Sequence, residues 1–180
     1  MASLTKSEML NMLSGDGSMA DFNYDVYKNY GTGYWKGISR LGIPILRMYD
    51  GPMGVRGNSG QETTKPNSNL SIASSFNKDV AYAVGTVYAA DQRANSGNVQ
   101  FGLQVDLIRT PNGARTFDDY SEDWYLTSVM SSVQSAAMQE RNVMGCLKHM
   151  GTYGYVDEQT LYESWLYPYI YNADRGTASM

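Results

Sequence analysis

Arg47-Met48-Tyr49-Asp50-Gly51-Pro52-Met53-Gly54-Val55-Arg56-Gly57 is the stretch whose reading decides the fold. The run from Ile43 to Tyr49 reads as a strand. It delivers one carboxylate, Asp50, into a Gly/Pro turn, and Arg56 follows six residues later. A strand that hands a charged group to a loop is how α/β proteins build ligand sites. Two further charged features follow predicted strands downstream. Val99 to Ile108 leads into a loop, Arg109 to Asp119, that carries Arg109 and Arg115. Val143 to Leu147 ends in Lys148-His149. In a parallel sheet all three strand ends lie on one face, so the side chains converge there. One carboxylate among two or three cations suits a neutral polyhydroxyl ligand or an anion. Each charge taken singly reads more readily as a solvated loop residue, and only the convergent set favours a site.

The rest of the chain fits that frame. Thr5-Lys6-Ser7-Glu8 is a capping box opening a helix with Leu10 and Leu13 on its apolar face, and Gly15 supplies a stop. Residues 14–37 are rich in Gly, Asn, Asp and Tyr and read as loop, as do residues 57–69. Leu70 to Phe76 reads as a weak second strand. Asn77 caps a helix from Lys78 to about Ala94, with Val80, Val84, Val87 and Tyr88 on one face. Ser121-Glu122-Asp123 opens another helix, its acidic residues well placed at the N-terminus. Asp157 caps a last helix with Leu161, Trp165, Leu166 and Ile170, and Gly176 to Met180 reads as the start of a fifth strand. Alternating strands and helices predict a parallel sheet.

Composition narrows the function. At 180 residues the chain makes one domain, short of the roughly 250 residues typical of a closed eight-stranded barrel. A net charge of −4 without any Lys/Arg-rich run disfavours nucleic acid and anionic membrane as partners. No run approaches the roughly 18 apolar residues of a membrane span. Single Cys and His residues, Cys146 and His149, exclude an internal disulfide, a cysteine-rich zinc site and any site needing two imidazoles. No metal or other cofactor is expected. Met1 to Lys6 lacks the basic-then-apolar layout of a signal peptide, which suggests a cytoplasmic chain, or an extracellular one written in processed form. The sequon Asn69-Leu70-Ser71 falls in the expected strand, a poor place for a glycan. Fifteen tyrosines suit half-buried core and interface positions, where a ring packs and a hydroxyl meets water or sugar.

The Asp50 stretch resembles the first barrel strand of glycoside hydrolase family 3, the β-glucosidase family, which typically reads Arg-Met-Ser-Asp-Gly-Pro-x-Gly-Val-Arg. The resemblance runs from Leu4 to Met180 in blocks that keep the family order. Arg40-Leu41-Gly42-Ile43-Pro44 leads into the Asp50 motif, and Ala73-Ser74-Ser75-Phe76-Asn77 is similar to the family's second strand. Asp106-Leu107-Ile108-Arg109-Thr110-Pro111, Gly113, Arg115 and Tyr120-Ser121-Glu122-Asp123 resemble the third strand and its loop. Cys146-Leu147-Lys148-His149 resembles the Lys-His strand end. The resemblance implies a partial TIM-type (β/α)8 barrel. Residues 1–40 would form an N-terminal helix and loop, and residues 41–180 a half-barrel of four to five strands.

The same resemblance implies that Asp50 accepts hydrogen bonds from hydroxyls of a sugar in subsite −1, while Arg115, Lys148 and His149 donate to others and Arg56 lies beside the pocket. Charge-assisted hydrogen bonds of this kind fix the orientation of a sugar ring. Retaining hydrolysis needs two carboxyls about 5–5.5 Å apart. In the family the nucleophile sits in a Ser-Asp-Trp-type motif at a later strand, and the acid/base usually comes from a second domain. Asp123-Trp124 copies the nucleophile dipeptide but lies at a helix start, so no catalytic residue is assigned. Ala114, Thr116 and Asp118 replace the family's usual Gly, Asn and Glu, and the stretch after His149 is shorter than its counterpart. Two expectations follow: a β-glucosidase relative inactive by itself, or a non-catalytic carbohydrate-binding or assembly protein derived from the family. Either takes a β-linked glucoside or other neutral sugar. Either also pairs its open sheet with a second copy or with the remainder of the barrel.

Overall fold

The computed structural model describes residues 3–14, 31–56, 62–109, 112–152 and 154–180. Four strands form one sheet in the order β1 (Gly33–Trp35), β2 (Leu46–Asp50), β3 (Val99–Gln104), β4 (Met144–Lys148). β2, β3 and β4 run parallel, and β1 is antiparallel to β2. The helices are α1 (Lys6–Ser14), α2 (Asn69–Ser74), α3 (Lys78–Ala94), α4 (Trp124–Gln139), α5 (Glu158–Thr160) and α6 (Tyr167–Ala173), with a wide π turn, Leu161–Trp165, after α5. The result is an open α/β sheet built from β2–α3–β3 and β3–α4–β4 units. Ser179 bridges Cys146 in parallel, and the Leu147 N–H donates to the Ser179 carbonyl at 3.1 Å. The expected fifth strand therefore begins beside β4.

Helix ends follow the sequence closely. The Thr5 N–H donates to Glu8 at 2.7 Å, and the Glu8 N–H donates back to the Thr5 hydroxyl at 3.3 Å, the reciprocal bonds of a capping box. The Arg40 guanidinium pairs with the same Glu8, tying α1 to the turn Ser39–Leu41 and holding the carboxyl at about 2. Asn77 accepts from the Asp79 N–H at 2.8 Å, Asp123 from Leu126 at 2.6 Å and Asp157 from Thr160 at 3.0 Å. Each carboxyl or amide satisfies an N–H that the first helical turn leaves open.

Three expectations need correction. Leu70 to Phe76 is not a strand: Asn69–Ser74 is a helix, capped by the Ser68 hydroxyl accepting from the Ser71 N–H at 3.3 Å. That local cap outweighs the β-leaning side chains, because it gives the backbone a helical start with only six residues to commit. Its Asn69 is fully buried and donates to the Asp118 carbonyl at 2.8 Å, so the sequon is closed by burial rather than by strand pairing. β1 falls inside residues expected to be loop. Leu10 and Leu13 are exposed, and no residue of α1 is buried. The expected stop at Gly15 and most of the loop before residue 31 lie outside the described residues.

The core lies between the sheet and α3 and α4. Gly85 of α3 sits so close to α4 that a Cβ would overlap the Gln134 carbonyl, which is why the two helices can pack backbone against backbone. Tyr49, Tyr88 and Tyr120 are fully buried, each with its hydroxyl satisfied: by the Asn95 carbonyl at 2.9 Å, the Pro52 carbonyl at 2.7 Å and Gln134 Oε1 at 2.7 Å. These tyrosines are core residues with a polar handle. Along β4, Gly145 and Leu147 are buried, and a Cβ at Gly145 would meet Met138 and Ser135 of α4. Met144, Cys146 and Lys148 therefore take the opposite face. Register places Met48 and Val99 beside Met144, and Asp50 and Phe101 beside Cys146. Among these, Met48, Phe101, Met144 and Cys146 remain half-buried. Among the described residues, no helix is long and apolar enough to cross a membrane.

Candidate functional site

Asp50 ends β2 and Lys148 ends β4, and the two meet across the end of β3: Lys148 Nζ lies 2.5 Å from Asp50 Oδ1. The Asp50 turn is forced by the sequence. Gly51 has φ +129°, and a Cβ there would overlap the Gly54 carbonyl, so only glycine fits. The Gly51 N–H donates to the Phe101 carbonyl at 2.9 Å, and the Arg56 N–H returns to the Asp50 carbonyl at 2.6 Å, closing the loop. Arg56 is thereby held next to Asp50 through its backbone, with an exposed residue surface.

The next residue joins a second carboxylate. β3 carries one extra residue between Phe101 and Gln104, with Leu103 at φ +60°, and this bulge brings residues 104–106 alongside the end of β4. The Val105 N–H donates to the Lys148 carbonyl at 2.9 Å. Asp106 Oδ2 lies 3.1 Å from the His149 N–H and 3.2 Å from His149 Nδ1. The Lys148–His149 peptide is cis. Burial pushes the Asp106 carboxyl up, and the hydrogen bonds to His149 oppose that shift.

Arg115 is positioned from elsewhere. Its Nε and Nη2 both donate to Asp118 Oδ2, at 3.1 and 2.7 Å, and the Asp118 carbonyl is held by Asn69 of α2. Arg115 lines the same cavity as Asp106 and Asp119, and its positive charge opposes the rise that burial causes in both carboxyls. Asp50, Lys148 and His149 are thus contiguous, Arg115 borders them through Asp106, and Arg56 stands at the turn. Lysine and arginine donors beside acid acceptors form an array that can hold several hydroxyls at once.

The loops after β3 and β4 enclose a cavity of about 540 Å³ reaching from Asp106 and Asp119 to Arg115, Tyr155 and Trp165. Asp119 is buried, accepts from Gln104 Nε2 at 2.7 Å, and is pushed up to about 7 by burial, with Asp106 and Asp118 adding to the rise. Neither Asp106 nor Asp119 stood out in the sequence as a site residue. The available signal was an acid inside an apolar strand end, Val105-Asp106-Leu107-Ile108. Among the described residues, no cluster of three or more His, Cys, Asp or Glu forms a metal-ligand group.

The family model described as the glycosyl hydrolase family 3 N terminal domain matches residues 26–168. The chain belongs to glycosyl hydrolase family 3. A periplasmic β-glucosidase from Salmonella typhimurium is 32% identical over 79% of the chain and 20% of its own length. A probable β-glucosidase F from Aspergillus flavus is 28% identical over the whole chain and 22% of its own length. DesR, a β-glucosidase from Streptomyces venezuelae solved in complex with D-glucose, superposes with a TM-score of 0.78 at 32% identity, covering 82% of the chain and 20% of DesR. A β-glucosidase from Paenibacillus barengoltzii shares the fold over 96% of the chain, with a TM-score of 0.81. The chain spans about a fifth of the length of these proteins. The open sheet thus corresponds to part of the barrel-like N-terminal domain of family 3.

Proposed function

We propose that this chain contributes the sugar-binding side of subsite −1 in a β-glucosidase-type site. Asp50 accepts from sugar hydroxyls, while Arg115, Lys148 and His149 donate, with Arg56 at the rim. The observation that carries the reading is the Lys148–Asp50 contact, made by residues 98 apart in sequence at the ends of two parallel strands. A sugar hydroxyl inserted between them would receive from Lys148 and donate to Asp50, replacing one charge-assisted bond by two. In a retaining glycosidase these residues orient the ring, and two other carboxyls perform the displacement. None of the residues assigned here takes that role, so hydrolysis by the chain alone is not part of the reading. The half-buried face formed by Met48, Phe101, Met144 and Cys146 favours a second reading, in which the chain is a carbohydrate-binding or assembly unit of the same family.

Titration of the purified chain with glucose tests the assignment. The expected result is weak binding that is lost in Asp50→Ala and in Lys148→Ala, with no turnover of an aryl β-glucoside. Glucose affinity unchanged in both variants would remove the site. Robust hydrolysis abolished by Asp50→Ala would reassign the chemistry to this chain.

A further inference from the structure

The two residues that follow Asp50, Gly51 and Pro52, are buried, and side chains from the core meet their carbonyls. Gln100 Nε2 donates to the Gly51 carbonyl at 2.6 Å, and the Tyr88 hydroxyl donates to the Pro52 carbonyl at 2.7 Å. Gln100 pairs with Tyr49 and Gly145 on the face of the sheet that packs on the helices. Tyr88 and Gln92 stand one turn apart on α3, so a single helix face reaches both points. Gln92 Nε2 donates to Gln100 Oε1 at 2.5 Å and to the Val99 carbonyl at 3.2 Å. The direction of this relay is fixed, because carbonyls only accept: Gly51 demands the NH2 end of Gln100, and Val99 demands the NH2 end of Gln92. Both glutamines are fully buried, and Gln92 Oε1 has no hydrogen-bond partner among the described residues. An apolar pair of similar size would fill the same space without that desolvation cost. What the amides add is a grip on Gly51.

We propose that Gln100, oriented by Gln92 and assisted by Tyr88, is a positioning residue for the sugar site: it locks the turn at Gly51 and thereby aims the Asp50 carboxylate. The inference rests on the reading of Asp50 as an acceptor for sugar hydroxyls. Gly51 is held through both of its peptide groups, its N–H by the Phe101 carbonyl at 2.9 Å and its carbonyl by Gln100. Both holds come from β3, the strand that also pairs with β4 and so carries Lys148. β3 is therefore the common reference for the two ends of the Asp50–Lys148 contact. Gln100 acts only through the turn, because its side chain lies in the core.

Gln100→Glu tests this, because a carboxyl reproduces both bonds only when protonated: its O–H donates to Gly51 while its other oxygen accepts from Gln92. Ionised, it sets a negative charge against the Gly51 carbonyl. Glucose affinity is titrated from about pH 5 to about pH 9.5, a span that brackets a buried carboxyl, and is taken relative to the unmodified chain at each pH. The variant should match the unmodified chain at the acid end and bind at least about tenfold more weakly at the alkaline end. A purely structural role would lower the urea midpoint and leave the affinity of the folded chain alone. Tyr88→Phe, which removes one oxygen from the same turn, supplies a readout independent of glucose. At about pH 7 the Gly51 and Arg56 amides should exchange with solvent about tenfold faster relative to those of α4. If Gln100→Glu unfolds at the alkaline end, Tyr88→Phe carries the test, and its glucose affinity must fall by at least about threefold. A pH-independent affinity ratio in folded Gln100→Glu, unchanged glucose affinity in Tyr88→Phe, or Gly51 and Arg56 exchange that merely follows α4 would each overturn the proposal. No glucose binding by the unmodified chain would instead fall on the subsite reading, and the exchange rates would still decide whether these side chains hold the turn.

Discussion

One oxygen of Asp106 holds both the backbone N–H and the ring Nδ1 of His149, at 3.1 and 3.2 Å, so a buried acid sets the direction in which the imidazole leaves the strand end. Asp106→Ala removes the acceptor and leaves the His149 amide without its partner. The expected cost is about 1–3 kcal/mol, read as a lower urea midpoint with an unchanged slope. Asp106→Asn keeps one acceptor oxygen and should lose less. Equal losses in the two variants would mean that charge rather than acceptor geometry holds His149.

Asp50 and Lys148 are both mostly buried at their side chains, 28% and 16% exposed, so their attraction is only partly screened. A double-mutant cycle of Asp50→Ala and Lys148→Ala should give a coupling of about 1 kcal/mol, shrinking with added salt. A coupling indistinguishable from zero at low salt would show that the pair does not persist in solution.

Asp119 should make stability depend on pH. Its folded pKa of about 7 lies above the ordinary aspartate value of 3.8, so between those values the folded chain binds more protons than the unfolded one. Stability must therefore fall as pH rises from about 4 through about 7, with a slope of at most about 1.4 kcal/mol per pH unit from this group. Asp119→Asn should flatten that part of the profile, which urea melts at several pH values would reveal.

Gly51→Ala places a Cβ against the Gly54 carbonyl in a backbone region closed to alanine. The turn must then open, at a cost of about 1–3 kcal/mol. Glucose affinity should fall with it, since the same turn fixes Asp50. An unchanged melt would mean that the turn relaxes freely.

The face carrying Met48, Phe101, Met144 and Cys146 is half-buried and lies on the side of the sheet away from α4. Apolar area left in water costs roughly 25 cal/mol per Å², so the chain is expected to associate through this face or to dock the remaining strands of a barrel. Light scattering on the purified chain measures this directly. Phe101→Lys should reduce self-association, and a well-behaved monomer with a cooperative melt would show that the face is tolerated in water.

Much of this architecture could be read from the chain. α3 and α4 carry strong caps at Asn77 and Asp123 and long apolar stripes, and β2 and β4 are short runs that end in charge. The apolar run continues to Ile108 although β3 stops at Gln104, because the bulge at Leu103 breaks the strand without changing the run's apolar character. α2 is hidden in the sequence because six residues are too few to display a helical period. β1 is equally hidden, because Gly33–Trp35 owes its strand form to pairing with β2, a tertiary fact. Asp50, Lys148 and His149 were visible as strand-end charges. Asp119 was not, since nothing local distinguishes a loop aspartate that packs against Gln104 from one that faces water.

Strand order in this sheet is also chain order, from β1 to β4, with Ser179 arriving last at the edge of β4. A ribosome releasing this polypeptide therefore never leaves a strand waiting for an earlier neighbour still to be made. Each newly emerged strand finds its partner already in place, and each intervening helix can dock before the next strand appears. Growth by accretion at a single edge keeps sequence separation between pairing strands small, the condition under which parallel pairing is least slow.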